Sequence, residues 1–379
     1  MKKKQIRYIF LIMICLLSFS ACKKSRKDLV TFASIDTLAI NTSTFEHPFE
    51  IPVNKSSLRY VRLATNRPFV ITHIDELRIV NSTIFILDRK RKSIILFDIA
   101  GKFKKSVTIK NTQFQYFDIF GDAIYVLDKN QSKIFKFDFE GNLLKTFNQN
   151  FHGVQFAVLP GERFIYYTSG LSTRDGNSEN YQLSISGPQK TDMQLPYKRI
   201  YSGIKYFFED QFSRNGDHLF FISAFENVFY KVDTLKIVAL TKFDFGKYNM
   251  PDSVFLKGKD FDNFNAFPYV SDLVNVANTV HFSFFKFSYH NRQGYIVCDY
   301  NRKKIIAGGI DVATDAASDF NNIVPVCSYG DKFIAIISPR TWLRMSSEMD
   351  LSKTLLNKKY PKKTICLDDS PILLFYTLL

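Results

Sequence analysis

Signatures of enzymatic chemistry are missing from these 379 residues. No G-x-S-x-G, H-E-x-x-H, C-x-x-C or Walker loop occurs, which excludes the nucleophile elbow, the zincin helix, the redox dithiol and the phosphate-cradling loop in their usual forms. Histidine is scarce: the six are His47, His73, His152, His218, His281 and His290, scattered over separate segments. Each alone reads as an ordinary polar residue. With 16 Gly and 12 Pro, the chain is too poor in both for a low-complexity or disordered protein. Past its start, no apolar run is long enough to span a membrane as a helix. Cysteine is also sparse. Cys298, Cys327 and Cys366 are widely spaced and match no metal motif. One disulfide among them is an open alternative to buried free thiols.

What is abundant is aromatic: 39 Phe and 19 Tyr. Such rings favour strands and fill wide spaces between sheets. The strongest pattern is an internal repeat. Residues 84–107 (IFILDRKRKSIILFDIAGKFKKSV) and 124–147 (IYVLDKNQSKIFKFDFEGNLLKTF) align at a shift of 40, with eight of 24 positions identical. The identities include Leu87/Leu127, Asp88/Asp128, Asp98/Asp138 and Gly101/Gly141. Each unit holds an alternating strand ending in Asp, a polar turn, a second strand, and Asp-x-x-Gly leading into a third. In that turn the carboxylate accepts backbone N–H bonds and Gly takes positive φ at low cost. Strands this short cannot bury their faces alone, and a period near 40 is the size of one propeller blade. Asp88, Asp98, Gly101, Asp128, Asp138 and Gly141 are therefore read as structural turn residues.

The start of the chain is a processing segment. Lys2, Lys3, Lys4 and Arg7 precede the apolar run Tyr8–Phe19, and Ser20-Ala21-Cys22 follows. A Cys directly after Ser-Ala resembles a bacterial lipobox, so Cys22 is the expected lipidation site and residues 1–21 the signal peptide. Residues 22–50 are read as a lipidated N-terminus and tether, and 51–379 as the propeller. Lys23, Lys24, Arg26 and Lys27 then suit anionic headgroups. The formal charge is +15, and removing the four cations of the signal leaves +11. For an exported chain this points away from nucleic acid and toward an anionic polymer, lipid or glycan surface.

Along the chain, residues 58–63 (LRYVRL) alternate, Leu58 and Tyr60 on one face and Val61 and Leu63 on the other. They are expected at a sheet edge or at the closure of a ring. Ile71–Val80 leads into the first clear blade. Residues 156–159, 164–168 and 181–185 form a degenerate third blade; residues 219–223 and 228–232 belong to the fourth. Lys242–Phe267 reads as a long insertion, with a short helix at 252–257. Its Asp260, Asp262, Asn263 and Asn265 could offer oxygen ligands to calcium, without the Gly and terminal Glu of an EF-hand loop. The alternating run 281–289 pairs with 295–299, and 323–328 pairs with 332–338. Thr341–Leu356 is the best helix or extended-loop candidate, anchored by Trp342 and Leu343. Pro371–Leu379 is a closing strand that shares a blade with the N-terminal strand. The fold class is all-β: a six-bladed β-propeller with antiparallel blades.

With the lipobox, the repeat and the C-terminal Asp368–Tyr376 run in view, the chain resembles the six-bladed β-propeller lipoproteins of Bacteroidetes, a family of unknown function, and more distantly NHL-repeat propellers. The carrying residues are Leu58–Leu63 for an L-x-Y-V-x-L segment, Ile74–Val80 running into Ile84–Asp88, and Ser370–Tyr376 for N-P-V-L-x-x-Y. The family's G-x-G-P-G-E-Y loop is replaced here by Lys110–Tyr116 (KNTQFQY). The resemblance implies a binding role more than catalysis, since NHL-type propellers bind partners far more often than they catalyse.

The functional expectation is a non-catalytic envelope lipoprotein. It is anchored to the outer membrane on its periplasmic or surface face, and binds a glycan, peptide or protein partner through a propeller face. It is expected to be monomeric, without a cofactor or bound metal. Tyr269 and Trp342 are the candidate ligand-face aromatics. The alternative is a propeller hydrolase or lyase, with histidines meeting beside a carboxylate in the central channel to hold a metal.

Overall fold

A computed structural model of the chain describes residues 30–31, 36–46, 49, 51–64, 71, 73–108, 114–128, 133–148, 155–167, 181–186, 191–196, 211–223, 226–233, 236–251, 268–289, 292–302, 304–311, 324–348 and 369–379. Six separate sheets follow one another along the chain, and within each the described strand pairs of neighbouring blade strands are antiparallel. Together they make the six blades of a propeller. Each blade starts with an inner strand and ends with an outer one.

Blade one is Glu76–Val80, Thr83–Asp88, Ser93–Asp98 and Phe103–Thr108. Blade two repeats it as Phe114–Phe120, Ala123–Asp128, Lys133–Asp138 and Leu143–Asn148. Blade three is Gln155–Leu159, Arg163–Tyr167, Tyr181–Ser186 and Thr191–Pro196. Blade four is Phe212–Asn215, His218–Ser223, Val228–Val232 and Ile237–Asp244. Blade five is Ser271–Asn278, Phe282–Tyr289, Arg292–Asp299 and Lys304–Asp311. Blade six combines Cys327–Tyr329, Lys332–Ile337 and Ile372–Tyr376 with Arg59–Arg62, which lies outermost. The N- and C-terminal strands thus share one blade and close the ring.

The expected repeat strands are all present. Thr191–Pro196 and the inner strands Phe212–Asn215 and Ser271–Asn278 carry little alternation of apolar residues and were not anticipated. Val53 meets Leu378 in an isolated bridge. The helix runs from Pro339 to Glu348. No described helix is long and apolar enough to cross a membrane.

Alternation within each strand sends side chains to the two neighbouring blades in turn. The result is a hydrophobic cluster at each junction. Phe85, Leu87, Phe117 and Val126 fill the space between blades one and two; Tyr125, Phe156 and Phe164 fill the next. Tyr167, Phe221 and Tyr230 join blades three and four. Phe229, Phe243, Phe285 and Phe287 join four and five. Phe284, Phe333 and Tyr376 join five and six, with Tyr60; Val61 and Leu63 turn the other way, onto blade one. The aromatic excess is therefore spent between blades, where paired flat sheets leave wide gaps.

The Asp-x-x-Gly turns have the geometry their sequence demands. Asp98 Oδ1 accepts from the backbone of Ala100 and Lys102 at 3.0 and 2.9 Å. Asp138 Oδ1 accepts from Asn142 N at 2.7 Å. Gly101 and Gly141 both sit at φ +87°, a region that favours glycine. At Gly101 an added Cβ would also lie 2.3 Å from the Arg62 carbonyl oxygen, because the blade-one turn presses on the outer strand of blade six there.

The N-terminal segment departs from the tether expected for residues 22–50. Val30–Thr31 pairs in parallel with Ile237 and Val238, and Asp36–Ala39 with Thr241–Asp244. Blade four becomes six-stranded. Phe45 is then buried against Phe245, Tyr248, Phe287 and Tyr289, with ring centroids 5.1–6.3 Å away. Phe49 stacks on Tyr295 of blade five, and Ala64 N donates to Gly101 O of blade one at 2.7 Å. The segment is a strap around the rim. Its hydrophobic residues Leu38, Ile40, Phe45, Phe49 and Ile51 are the reason it docks.

Candidate functional site: the channel between the inner strands

The inner strands bring together a set of polar groups, some of them at equivalent places in successive blades. Arg78, Asp118 and Val158 lie 40 residues apart in sequence, one per blade. Arg78 Nη1 donates to Asp118 Oδ1 at 2.9 Å. Its Nε and Nη2 donate to Glu76 Oε1 at 2.9 and 2.6 Å, and Nη2 also to the Tyr116 hydroxyl at 2.7 Å. The guanidinium lies over the rings of Tyr116 and Phe117. Burial pulls the Arg78 pKa down, but Tyr116, Glu76 and Asp118 outweigh it and hold the group well above the ordinary arginine value.

Asp118 is the centre of this set. Its side chain is 1% exposed. Oδ1 also accepts from Ile119 N at 2.9 Å, while Oδ2 accepts from Val158 N at 2.8 Å and from Arg214 Nη2 at 2.8 Å. Four donors thus meet two oxygens, the full capacity of a carboxylate. Arg214 Nη2 reaches Val158 O as well, at 2.8 Å, and its guanidinium lies over Phe120. Arg214 Nε is buried and has no hydrogen-bond partner among the described residues. One carboxylate therefore clasps blades one, two, three and four.

On the other side of the ring the described contacts are between neutral groups. Ser213 of blade four donates to Asn275 Oδ1 of blade five. Asn278 Nδ2 donates back to Ser213 Oγ at 2.9 Å. Asn275 Nδ2 donates to Phe284 O at 3.3 Å, and Ser283 Oγ to Asn278 Oδ1 at 2.5 Å. Ser328 of blade six donates to Asn278 O. Cys327 of the same strand lies close enough to Arg78 and Glu76 to feel both charges; burial, the larger effect, pushes its thiol well up. Burial also pushes Cys298 up, to about 12. Neither is an activated nucleophile, and both are free thiols.

The sequence-derived candidates do not gather here. Trp342 is 0% exposed inside the core between blades five and six, so its ring offers nothing to a ligand. It packs there because the helix Pro339–Glu348 lays it onto the sheet, with Trp342 N donating to Ser338 O. Tyr269 is half-buried at the entry to blade five, beside Val270, whose N–H donates to Tyr248 O. His73, His218 and His281 are exposed. Asp88 Oδ1 accepts from Arg91 N at 3.0 Å, a turn contact. Among the described residues no group of three or more His, Cys, Asp or Glu could hold a metal. Cys22, His47, His152, His290, Cys366 and the 252–267 region with its Asp and Asn residues lie outside the described residues. Sequence reasoning missed Arg78, Asp118, Arg214, Asn275 and Asn278. The signal for the first two was available: the 40-residue shift, carried upstream of Ile84, sets Arg78 opposite Asp118.

The fold and this channel define a six-bladed β-propeller whose inner strands are tied by buried polar side chains. The chain belongs to the family described as Domain of unknown function (DUF4934), whose model matches residues 37–377. The match begins within the rim strap, in agreement with its docking on blade four. A crystal structure of a Bacteroides fragilis protein described as exported is similar, with a TM-score of 0.74 and 15% identity, over 91% of this chain and 100% of that one. A DUF4221 family member from Bacteroides vulgatus aligns with a TM-score of 0.49 and 11% identity, over 86% of this chain and 98% of that one. No curated protein sequence matches.

Proposed function

We propose that this propeller is a non-catalytic binding protein of the bacterial cell envelope, lipidated at Cys22, that presents one end of its disc to a glycan, peptide or protein partner. The observation that carries this reading is the state of Asp118. A general acid, base or nucleophile must be able to exchange a proton or attack a substrate. The most buried carboxylate of the channel instead has both oxygens saturated by two arginines and two backbone amides. Its neighbours hold blades together. The lipobox and the basic stretch Lys23–Lys27 support an envelope location, and the net charge of +11 that remains without the signal supports an anionic ligand.

The test uses the chain from Lys23 onward on arrays of bacterial glycans and in crosslinking to envelope fractions. Saturable capture that returns the ligand chemically intact is the expected result, with Tyr269→Ala weakening it. Recovery of a cleaved or eliminated product, by mass spectrometry, would contradict a non-catalytic role.

A further inference from the structure

The outer strands of blades two and four are built alike. Each bulges at a leucine: the register with the third strand skips Leu144 in blade two and Leu240 in blade four. Aligned on that bulge, Leu144, Lys145, Thr146, Phe147 and Asn148 correspond to Leu240, Thr241, Lys242, Phe243 and Asp244. The leucines and the phenylalanines coincide, and Asn148 has the shape of Asp244. Phe147 packs on the cluster between blades two and three, as Phe243 does between four and five.

Their outer edges differ. In blade four the edge is taken: Asp36, Thr37, Leu38 and Ala39 of the strap pair in parallel with Thr241, Lys242, Phe243 and Asp244. In blade two no described strand lies beyond Leu143–Asn148, and Leu143 and Leu144 are 56% and 54% exposed. Adjacent exposed leucines on a bare strand edge are a template for another chain. A bulge usually blunts such an edge, yet blade four carries the same bulge and is extended all the same. The strap therefore shows what chemistry fits. Its carboxylate, Asp36, falls opposite Thr241, the counterpart of Lys145. Its Leu38 falls beside Phe243, the counterpart of Phe147. Lys145 is 53% exposed and gives one hydrogen to Glu162; an ammonium has three, so a second carboxylate can be met.

We propose that Leu143–Asn148 is a docking edge for an extended peptide segment of another protein, added in parallel as a fifth strand of blade two. The segment carries a carboxylate to meet Lys145 and, two residues on, an apolar side chain to lie beside Phe147. The backbone groups that receive it follow from blade four. Phe243 N donates inward to Asn227 O, whereas Asp244 O accepts from Ile40 N of the strap. Alternation turns Lys242 outward as well, and Thr146 by the same register. This edge is on the rim, apart from the disc end proposed above for a ligand, and its failure would leave that reading untouched.

Fluorescence anisotropy tests this with the mature chain and a labelled peptide of residues 30–41 (VTFASIDTLAIN). The chain's own strap holds blade four intramolecularly, at an effective concentration of about millimolar, so free peptide at micromolar concentration reports another edge. Saturable binding is expected. Thr146→Pro removes an outward N–H and should weaken it about tenfold, the worth of one backbone hydrogen bond at the upper end of its range. Leu144→Glu leaves the backbone untouched and should weaken binding too, which keeps the test alive should the proline variant fail to fold by circular dichroism. A peptide carrying Asp36→Lys should bind about two- to fivefold more weakly, as expected for an exposed ion pair. A photo-crosslinker at the Leu38 position of the peptide should mark residues 143–148. No binding, binding that ignores Leu144→Glu, equal binding of the Asp36→Lys peptide, or marks on residues 237–244 would each overturn the proposal. So would a dimer in sedimentation that Leu144→Glu dissolves, since the edge would then belong to a second copy of the chain.

Discussion

Blades one to four and blades four to six are joined at the channel by opposite means. The first sector uses ions: Glu76, Arg78, Asp118 and Arg214, nearly all of their side-chain surface removed from water. The second uses neutral groups: Ser213, Asn275, Asn278, Ser283 and Ser328. Burying an ion costs far more than burying an amide, and the cost is recovered only where geometry and hydrogen bonding are complete. That explains why Asp118 has every acceptor site filled, while the neutral sector tolerates a looser web. The charged sector also follows the sequence repeat, with Arg78, Asp118 and Val158 at one blade position. The neutral sector lies where the repeat has decayed.

The comparison makes ordered predictions. Removing Asp118 should have the largest effect, because two guanidinium groups and two amides lose a common partner. Asp118→Ala should lower stability by about 3–5 kcal/mol, the usual loss when one member of a buried ion pair is deleted. Urea unfolding measures it. In the neutral sector, Asn278→Ala leaves hydroxyl and amide groups unpaired but no charge, so about 1–3 kcal/mol is expected from the same assay. Equal losses for the two variants would break the contrast.

A third site sharpens it by placing ions at the rim. Glu162 accepts from Lys136 and Lys145, both at 2.7 Å. These two bonds, Lys136 first, hold its carboxyl below the ordinary glutamate value of 4.5. A carboxyl whose value is depressed by folding stabilises the fold above the unfolded value, and that share is lost as pH falls through the folded one. Glu162→Gln should therefore leave neutral-pH stability within about 1 kcal/mol of the parent and flatten the loss of stability below about pH 4.5. An unaltered acid limb would show that the rim pair contributes nothing. The effect should also shrink with salt, whereas the Asp118 effect should not, since buried pairs are screened far less.

The sequence carried the architecture well where periodicity was strong. Blades one and two, the alternating faces of residues 58–63 and the sharing of blade six by both chain ends could all be read directly. Each follows from alternation or from a turn that demands Asp and Gly. Phe212–Asn215 and Ser271–Asn278 could not, because an inner strand at the channel buries polar residues that look like loop sequence until their partners are known. Trp342 misled for a related reason: a lone tryptophan resembles a ligand platform, but its helix folds it into the core. The channel cluster was legible only in part. Arg78 and Asp118 obey the repeat, whereas Arg214 breaks it and meets Asp118 only because the ring closes. The rim strap was hidden too, since its apolar residues are spaced to follow a curved surface and show no strand or helix period.

The most direct test of Asp118 as a clasp shared by two arginines is a double-mutant cycle on Arg78→Met and Arg214→Met, followed by urea unfolding. Either change alone leaves Asp118 one guanidinium. Both together leave a buried carboxylate held only by the Ile119 and Val158 amides. The double variant should then lose at least about 1 kcal/mol more than the sum of the single losses, within the range found for residues sharing one network. Strict additivity would mean that the two arginines act independently and that no shared clasp exists.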